Sequence, residues 1–278
     1  MIAPFKNWAR MLRNTYVGAP TNSRAFMHDG PAPKRPEDMG PIEQLFWSTQ
    51  GAAVDKWHQY LPVYDRHFAP YLGRAPRFLE IGVQNGGSLA LWRRFFGSEA
   101  TIFGIDINPD CAQLDGKDGS VRIGSQADPG FLRDVIAEMG GVDIVLDDGS
   151  HMMTHVNASF RVLFPLLADQ GIYMVEDMQC AYWSAFGGAK RRRETFVRTA
   201  MSLVDDMHHW YSQVPIDHPG LAENVSGVHF YDAILVIDKA PLTQPARTMI
   251  GDKRDIFGAG LEGFQARATS DTQKEDAG

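Results

Sequence analysis

The chain has 278 residues, 44% of them hydrophobic and 22% charged, enough to bury the core of one α/β domain with extensions. Its 27 basic residues are outnumbered by 34 acidic ones, and a net charge of -7 sets nucleic acid aside as a partner, because phosphate backbones are held by an excess of cations. Cys111 and Cys180 form no C-x-x-C pair, no apolar run approaches the ~20 residues of a spanning helix, and no signal-peptide pattern opens the chain; a cytoplasmic protein without a transmembrane segment is expected.

The first stretch, "APFKNWARMLRNTYVG", sets Phe5, Trp8, Met11, Leu12 and Tyr16 at helical spacing with Lys6, Arg10 and Arg13 between them. A short basic amphipathic helix holds a membrane only weakly, so it is read as packing on its own domain or on a second subunit, and a homo-oligomer is expected. Residues 18–42, rich in Pro, Gly, Asn and Asp, read as a loop or lid. The expected organisation is an N-terminal helix and lid or oligomer-contact segment over 1–54, a main domain over 55–252 and a partly disordered tail over 253–278.

From Phe78 onward, short β-branched runs alternate with amphipathic segments. "RFLEIGV", "TIFGIDI", "VDIVLDD" and "GIYMVED" read as strands; "GSLALWRRFF", "DPGFLRDVIAEM" and "HVNASFRVLFPLL" read as helices. Strands alternating with helices predict an α/β fold, a doubly wound, mostly parallel sheet of Rossmann-like type. "GVHFY" and "AILVIDK" lie so close together that they read as a C-terminal antiparallel hairpin at one sheet edge.

Ligands of such sheets sit outside the carboxyl ends of the strands, so the residues just after each strand are the first candidates for a site. After the first comes "LEIGVQNGGSL", with Glu80, Gly82, Gly86, Gly87 and Ser88. A G-x-G-x-x-G fingerprint would need glycine at 84, where Gln84 stands, so a nicotinamide cofactor is disfavoured. The glycines let the backbone approach a ligand, and Glu80 is placed to meet a cationic or hydroxylated group. In the next turn, "GIDIN", Asp106 lies where acids accept ribose hydroxyls, with Asn108 beside it. Ser125, Gln126 and Asp128 in "GSQADPG" are placed to frame an adenine, although an acid after a strand also serves as a helix cap.

The fourth strand ends in Asp147 and Asp148 within "DDGSH", the fifth in Glu176 and Asp177. Adjacent strands run about 4.8 Å apart, so their terminal acids can converge on one ion; with no cysteine nearby the set is hard, suited to Mg²⁺, Mn²⁺ or Ca²⁺, and Mg²⁺ is the natural choice. The competing reading is turn chemistry, with Ser150 capping a helix that begins near His151. His151 and His155, four apart, would share a helix face, but H-E-x-x-H lacks its Glu here, so zinc is disfavoured and His155 reads as packing or orienting.

Together "LEIGVQNGGS", "GIDIN", "DIVLDDGSH", "VEDMQCAYW" and "VHFYDAILVIDK" resemble the class I S-adenosylmethionine-dependent O-methyltransferases, and within them the metal-dependent enzymes that methylate sugar hydroxyls in macrolide biosynthesis. The resemblance runs from about Asp55 to Asp252 and includes the segment "DKWHQYLPVYDRHFAPY". It implies S-adenosylmethionine and Mg²⁺ as cofactors, a small-molecule or glycoside substrate, Asp148, Glu176 and Asp177 as metal ligands, His151 as general base and Asp147 as a supporting or cofactor-side residue. The alternatives are a catechol-type O-methyltransferase and a non-catalytic S-adenosylmethionine-binding protein. Tyr182, Trp183, Trp210 and Tyr211 suit stacking on sugar rings, but such a cluster more often belongs to a core, and "KRRRE" from Lys190 to Glu194, which could meet a phosphate, reads as a solvated helix face; neither is assigned as a site.

Overall fold

Runs such as "RFLEI" and "VDIVLD" are apolar on both faces, the pattern of strands covered by helices on either side. In the computed structural model, which describes residues 38–190, 192–211 and 215–251, they form the centre of a seven-stranded sheet. The strands are β1 (Arg77–Ile81), β2 (Thr101–Asp106), β3 (Ser120–Ile123), β4 (Val142–Asp147), β5 (Leu167–Val175), β6 (Val225–Phe230) and β7 (Leu235–Lys239), in the spatial order β3-β2-β1-β4-β5-β7-β6. The first five are parallel, whereas β7 pairs antiparallel with both β5 and β6, so the expected hairpin closes that edge. Because β1 pairs with both β2 and β4, the winding reverses there and opens a crevice at the carboxyl ends of the strands.

The helices are α1 (Pro41–Trp47), α2 (Leu61–Phe68), α3 (Gly87–Phe96), α4 (Pro129–Met139), α5 (Met153–Leu166) and α6 (Phe196–Met207). Alternation along β1 separates two cores: Phe78 packs with Tyr64, Phe68 and Trp92 on one face, while Leu79 and Ile81 pack with Leu132, Val156 and Phe160 on the other. Each fully buried aromatic contributes roughly 1.5–3 kcal/mol, so the aromatic face anchors the segment that carries Tyr60 and Tyr64. Ile42, near the start of α1, is fully buried in the same face, although residues up to 42 read as a loop in the sequence.

Three readings of the sequence are corrected here. Helix α5 begins at Met153 with Met152 at its N-cap, and the cap makes no side-chain hydrogen bond. Ser150 therefore is not the cap, and His151, with φ of 53°, stands outside the helix and shares no helix face with His155. The glycine after Asp148 and the left-handed His151 carry the chain away from the sheet before it can turn helical. Lys190 and residues 192–194 precede α6 in a turn and lie on no helix face.

The chain divides into two compact units, Met1–Thr243 and Gln244–Gly278; every element above lies in the first, and residues 244–251 of the second contain no helix or strand. The amphipathic N-terminal helix and the expected disordered tail lie outside the described residues. Among the described residues no helix is long and apolar enough to cross a membrane.

Candidate active site at the carboxyl ends of the strands

Backbone hydrogen bonds continue past the strand ends and draw their turns together: Gly82 N–H reaches Ile105 at 2.8 Å, Asp148 N–H reaches Ile81 at 3.0 Å and Glu176 N–H reaches Asp147 at 3.0 Å. Gly82 has φ of 92°, and a Cβ there would lie 2.3 Å from the Asp148 carbonyl oxygen, so only glycine allows the turn after β1 to press against the end of β4. Left-handed non-glycine residues stand at the same rim: Gln84 (φ 40°) after β1, His151 (φ 53°) after β4 and Asp177 (φ 54°) after β5. Each such conformation costs on the order of 1 kcal/mol or more, and such strain gathers where a side chain must be aimed.

Asp148, His151 and Asp177 each present a donor atom within 4.8 Å of the other two. His151 Nε2 lies 3.6 Å from Asp177 Oδ2 and 4.0 Å from Asp148 Oδ1. Glu176 is not gathered into this group. Its side chain is only 2% exposed, and its oxygens accept from Lys56 Nζ at 2.8 and 3.0 Å and from the Tyr64 hydroxyl at 2.5 Å. Lys56 also donates to Asp148 Oδ2 at 2.5 Å, and the Tyr60 hydroxyl donates to Asp177 Oδ1 at 2.7 Å. One segment thus braces all three strand-end acids.

Burial is the largest influence on Lys56 and disfavours its charge, yet Asp148, Glu176 and Glu80 outweigh it and hold the ammonium above the usual lysine range. Burial, reinforced by the Asp148 carboxylate, pushes Glu176 well up in spite of Lys56. Burial and the adjacent acids likewise raise Tyr60 and Tyr64, which remain hydroxyl donors at neutral pH. One ammonium therefore leaves the cluster short of positive charge. Two carboxylates and an imidazole at the rim, with a further carboxylate beneath, form a donor set that fits a hard divalent cation.

The expected cofactor residues occupy the neighbouring turns. The Asp106 carboxylate accepts the backbone N–H groups of Val83 and Gln84, both at 3.1 Å, and of Asn108 at 2.8 Å, tying the glycine turn to the end of β2. Gly86, at φ of 78°, stands at the N-cap of α3. Glu80 is fully buried, and its two oxygens are taken by Ser88 Oγ at 2.8 Å and Trp92 Nε1 at 3.1 Å, which leaves it facing the aromatic core. Asn108 and Asp128 cap the helices that follow them: Asn108 accepts from Asp110 N–H, and Asp128 accepts from Gly130 and Phe131 N–H. Ser125 Oγ accepts from Ala127 N–H. Gln126, buried, donates to Asp147 at 3.0 Å and accepts Ser150 N–H at 2.7 Å. Asp147 is itself buried and also held by Ser159 and Tyr173, so it fixes the loop that presents Asp148 and His151. His155 contacts Ser150 Oγ through Nδ1 at 2.9 Å, and burial lowers its pKa.

Burial raises the Glu80 carboxyl to about 7, against the opposing pull of Lys56, Trp92 and Ser88. Between its ordinary value and about 7 the folded chain binds a proton that the unfolded chain does not, so stability falls as pH rises through that window. The Glu80→Gln variant should gain on the parent by up to about 3 kcal/mol between pH 5 and pH 8, measured by denaturant unfolding at each pH. A pH-independent difference would mean that Glu80 stays ionised throughout.

Lys56, Tyr60 and Tyr64 were missed in the sequence. Their even spacing of four residues within "DKWHQYLPVY" was the available signal, although only Tyr64 lies in an α-helix.

No family model matches the chain. It is 36% identical over 220 residues to 8-demethyl-8-(2-methoxy-alpha-L-rhamnosyl)-tetracenomycin-C 3'-O-methyltransferase of Streptomyces olivaceus, covering 75% of this chain and 55% of the relative. It is 38% identical over 201 residues to demethylmacrocin O-methyltransferase of Streptomyces fradiae, covering 66% and 50%. Among solved structures it is similar to the MycE methyltransferase from the mycinamycin biosynthetic pathway in complex with Mg, SAH and mycinamycin VI, with 32% identity, a TM-score of 0.64 and coverage of 76% of this chain and 55% of that one. The chain spans about half the length of the curated relatives it matches.

Proposed function

From the premise that the chain is a relative of the sugar O-methyltransferases of macrolide and tetracenomycin pathways and has the class I methyltransferase fold, we propose that it transfers a methyl group from S-adenosylmethionine to a sugar hydroxyl of a small-molecule glycoside, with a divalent cation, Mg²⁺ by preference, at the strand ends. The observation that carries the reading is the convergence of Asp148, His151 and Asp177 within 4.8 Å beside the glycine turn and Asp106. When bound, the cofactor supplies an electrophilic methyl and the cation acidifies the acceptor hydroxyl. Asp148 and Asp177 would hold the cation from the rim, and Glu176 would join them from below. His151 takes the hydroxyl proton at Nε2, the nitrogen that faces both aspartates. Asp106 would accept the ribose hydroxyls of the cofactor, while its bonds to the Val83 and Gln84 backbone hold the glycine turn in place. Asp147, Gln126 and Ser159 keep the "DDGSH" loop in place.

Calorimetric titration with S-adenosylmethionine, followed by mass spectrometry of glycosylated acceptors for a gain of one methyl group, tests the reading. The Asp106→Ala variant should bind the cofactor about 10- to 100-fold more weakly, the 1.5–3 kcal/mol of hydrogen bonds to a charged group. Parent-like affinity in that variant would place the cofactor elsewhere.

A further inference from the structure

Beneath the rim, an ammonium already occupies oxygens that a divalent cation would need. Lys56 Nζ lies 2.5 Å from Asp148 Oδ2 and 2.8 and 3.0 Å from the two Glu176 oxygens, and the side chains of Lys56 and Glu176 are each 2% exposed. Among the described residues Lys56 is the one lysine or arginine paired with these acids. It reaches them from the stretch that precedes α2, with no regular structure at its own position, so its ammonium can withdraw without breaking a helix or strand. Magnesium and calcium bind oxygens at about 2.0–2.6 Å, and a cation placed on the same oxygens would meet the ammonium at a distance where like charges repel by several-fold more than in water. Full coordination by Asp148 and Glu176 therefore requires Lys56 to give up its contacts.

We infer that Lys56 is a built-in counter-cation, which neutralises Asp148 and Glu176 while no metal is bound and yields those oxygens when a divalent cation enters, so that its charge sets the cation's affinity. The inference rests on the metal site of the preceding section. Lys56 is a positioning residue: bonded to Asp148 and Glu176, it keeps mutually repelling acids together until the cation takes over that role. The arrangement makes the site selective for a species of higher charge than the ammonium it replaces, and a monovalent ion gains nothing by the exchange.

The test is a calorimetric titration of Mn²⁺ into chelator-stripped parent, Lys56→Met and Lys56→Arg, with melting temperatures recorded in EDTA and in Mn²⁺. Lys56→Met should bind Mn²⁺ at least about ten-fold more tightly than the parent, melt lower than the parent in EDTA and gain a larger increment from Mn²⁺. Lys56→Arg keeps the charge and should bind no more tightly than the parent. If Lys56→Met is unfolded in EDTA, recovery of its circular dichroism on adding Mn²⁺ supports the inference, and failure to recover overturns it. Equal or weaker affinity in a folded Lys56→Met overturns the inference while leaving the metal site standing. Absence of Mn²⁺ binding in the parent and both variants overturns both.

Discussion

If the proposed metal mechanism holds, chelation with EDTA should abolish methyl transfer and Mg²⁺ should restore it, while S-adenosylmethionine binding should persist throughout. The expectation comes from the division of labour along the strand ends. Asp148 and Asp177 meet His151 at the ends of β4 and β5, whereas Asp106 and the glycine turn belong to β2 and β1. A sugar hydroxyl is a poor nucleophile at neutral pH, and a coordinated cation contributes several kcal/mol to its activation, about 10³-fold in rate. Asp177→Asn preserves shape, and its side-chain oxygen can still accept from the Tyr60 hydroxyl, which donates to Asp177 at 2.7 Å. It removes one charge, so it should weaken Mg²⁺ binding and leave cofactor affinity close to the parent's. Full activity in chelator, with the metal confirmed absent by elemental analysis, would sink the metal mechanism.

Replacement of His151 by alanine should lower turnover by about 10²–10⁴-fold if it is the general base, the usual contribution of a positioned base. The imidazole stands where that role would need it: His151 has a left-handed backbone, its Nε2 lies 3.6 Å from Asp177 Oδ2 and 4.0 Å from Asp148 Oδ1, and Phe186 packs edge-on with centroids 6.1 Å apart. The same location makes the imidazole a candidate third ligand, and the variant separates the two roles. A base leaves Mn²⁺ affinity near the parent's while turnover collapses; a ligand loses both together. Unchanged turnover would return His151 to a purely local role in the loop.

The two outcomes bear on Lys56 as well, because a cation must overcome an ammonium already bonded to Asp148. A rescue of the stripped parent that needs more Mg²⁺ than rescue of stripped Lys56→Met is the kinetic counterpart of that competition. Chelation that leaves the fold intact is expected too, since Lys56, Tyr60 and Tyr64 continue to hold the acids.

The sheet and the addresses of its polar ends were determined by the sequence itself. Period-two and apolar runs name β1, β2, β4 and β5, and period-3.6 segments name α3, α4 and α5, because these signals are local and each is set by neighbouring side chains. Acids at the ends of β4 and β5 followed from the parallel order alone, since adjacent strands must bring their ends together. The tertiary structure decided how the other polar residues around the strand ends are used. Asp128 and Asn108 are helix caps, Glu80 turns into an aromatic core, and Ser150 contacts His155 where a helix cap was expected. Each of these choices depends on which groups remain unpaired after packing, and no local pattern encodes that. Lys56 is the clearest case: it lies 92 residues from Asp148 and 120 from Glu176, and only the burial of α2 against the aromatic face, through Tyr64, Phe68 and Trp92, brings its ammonium beneath the site.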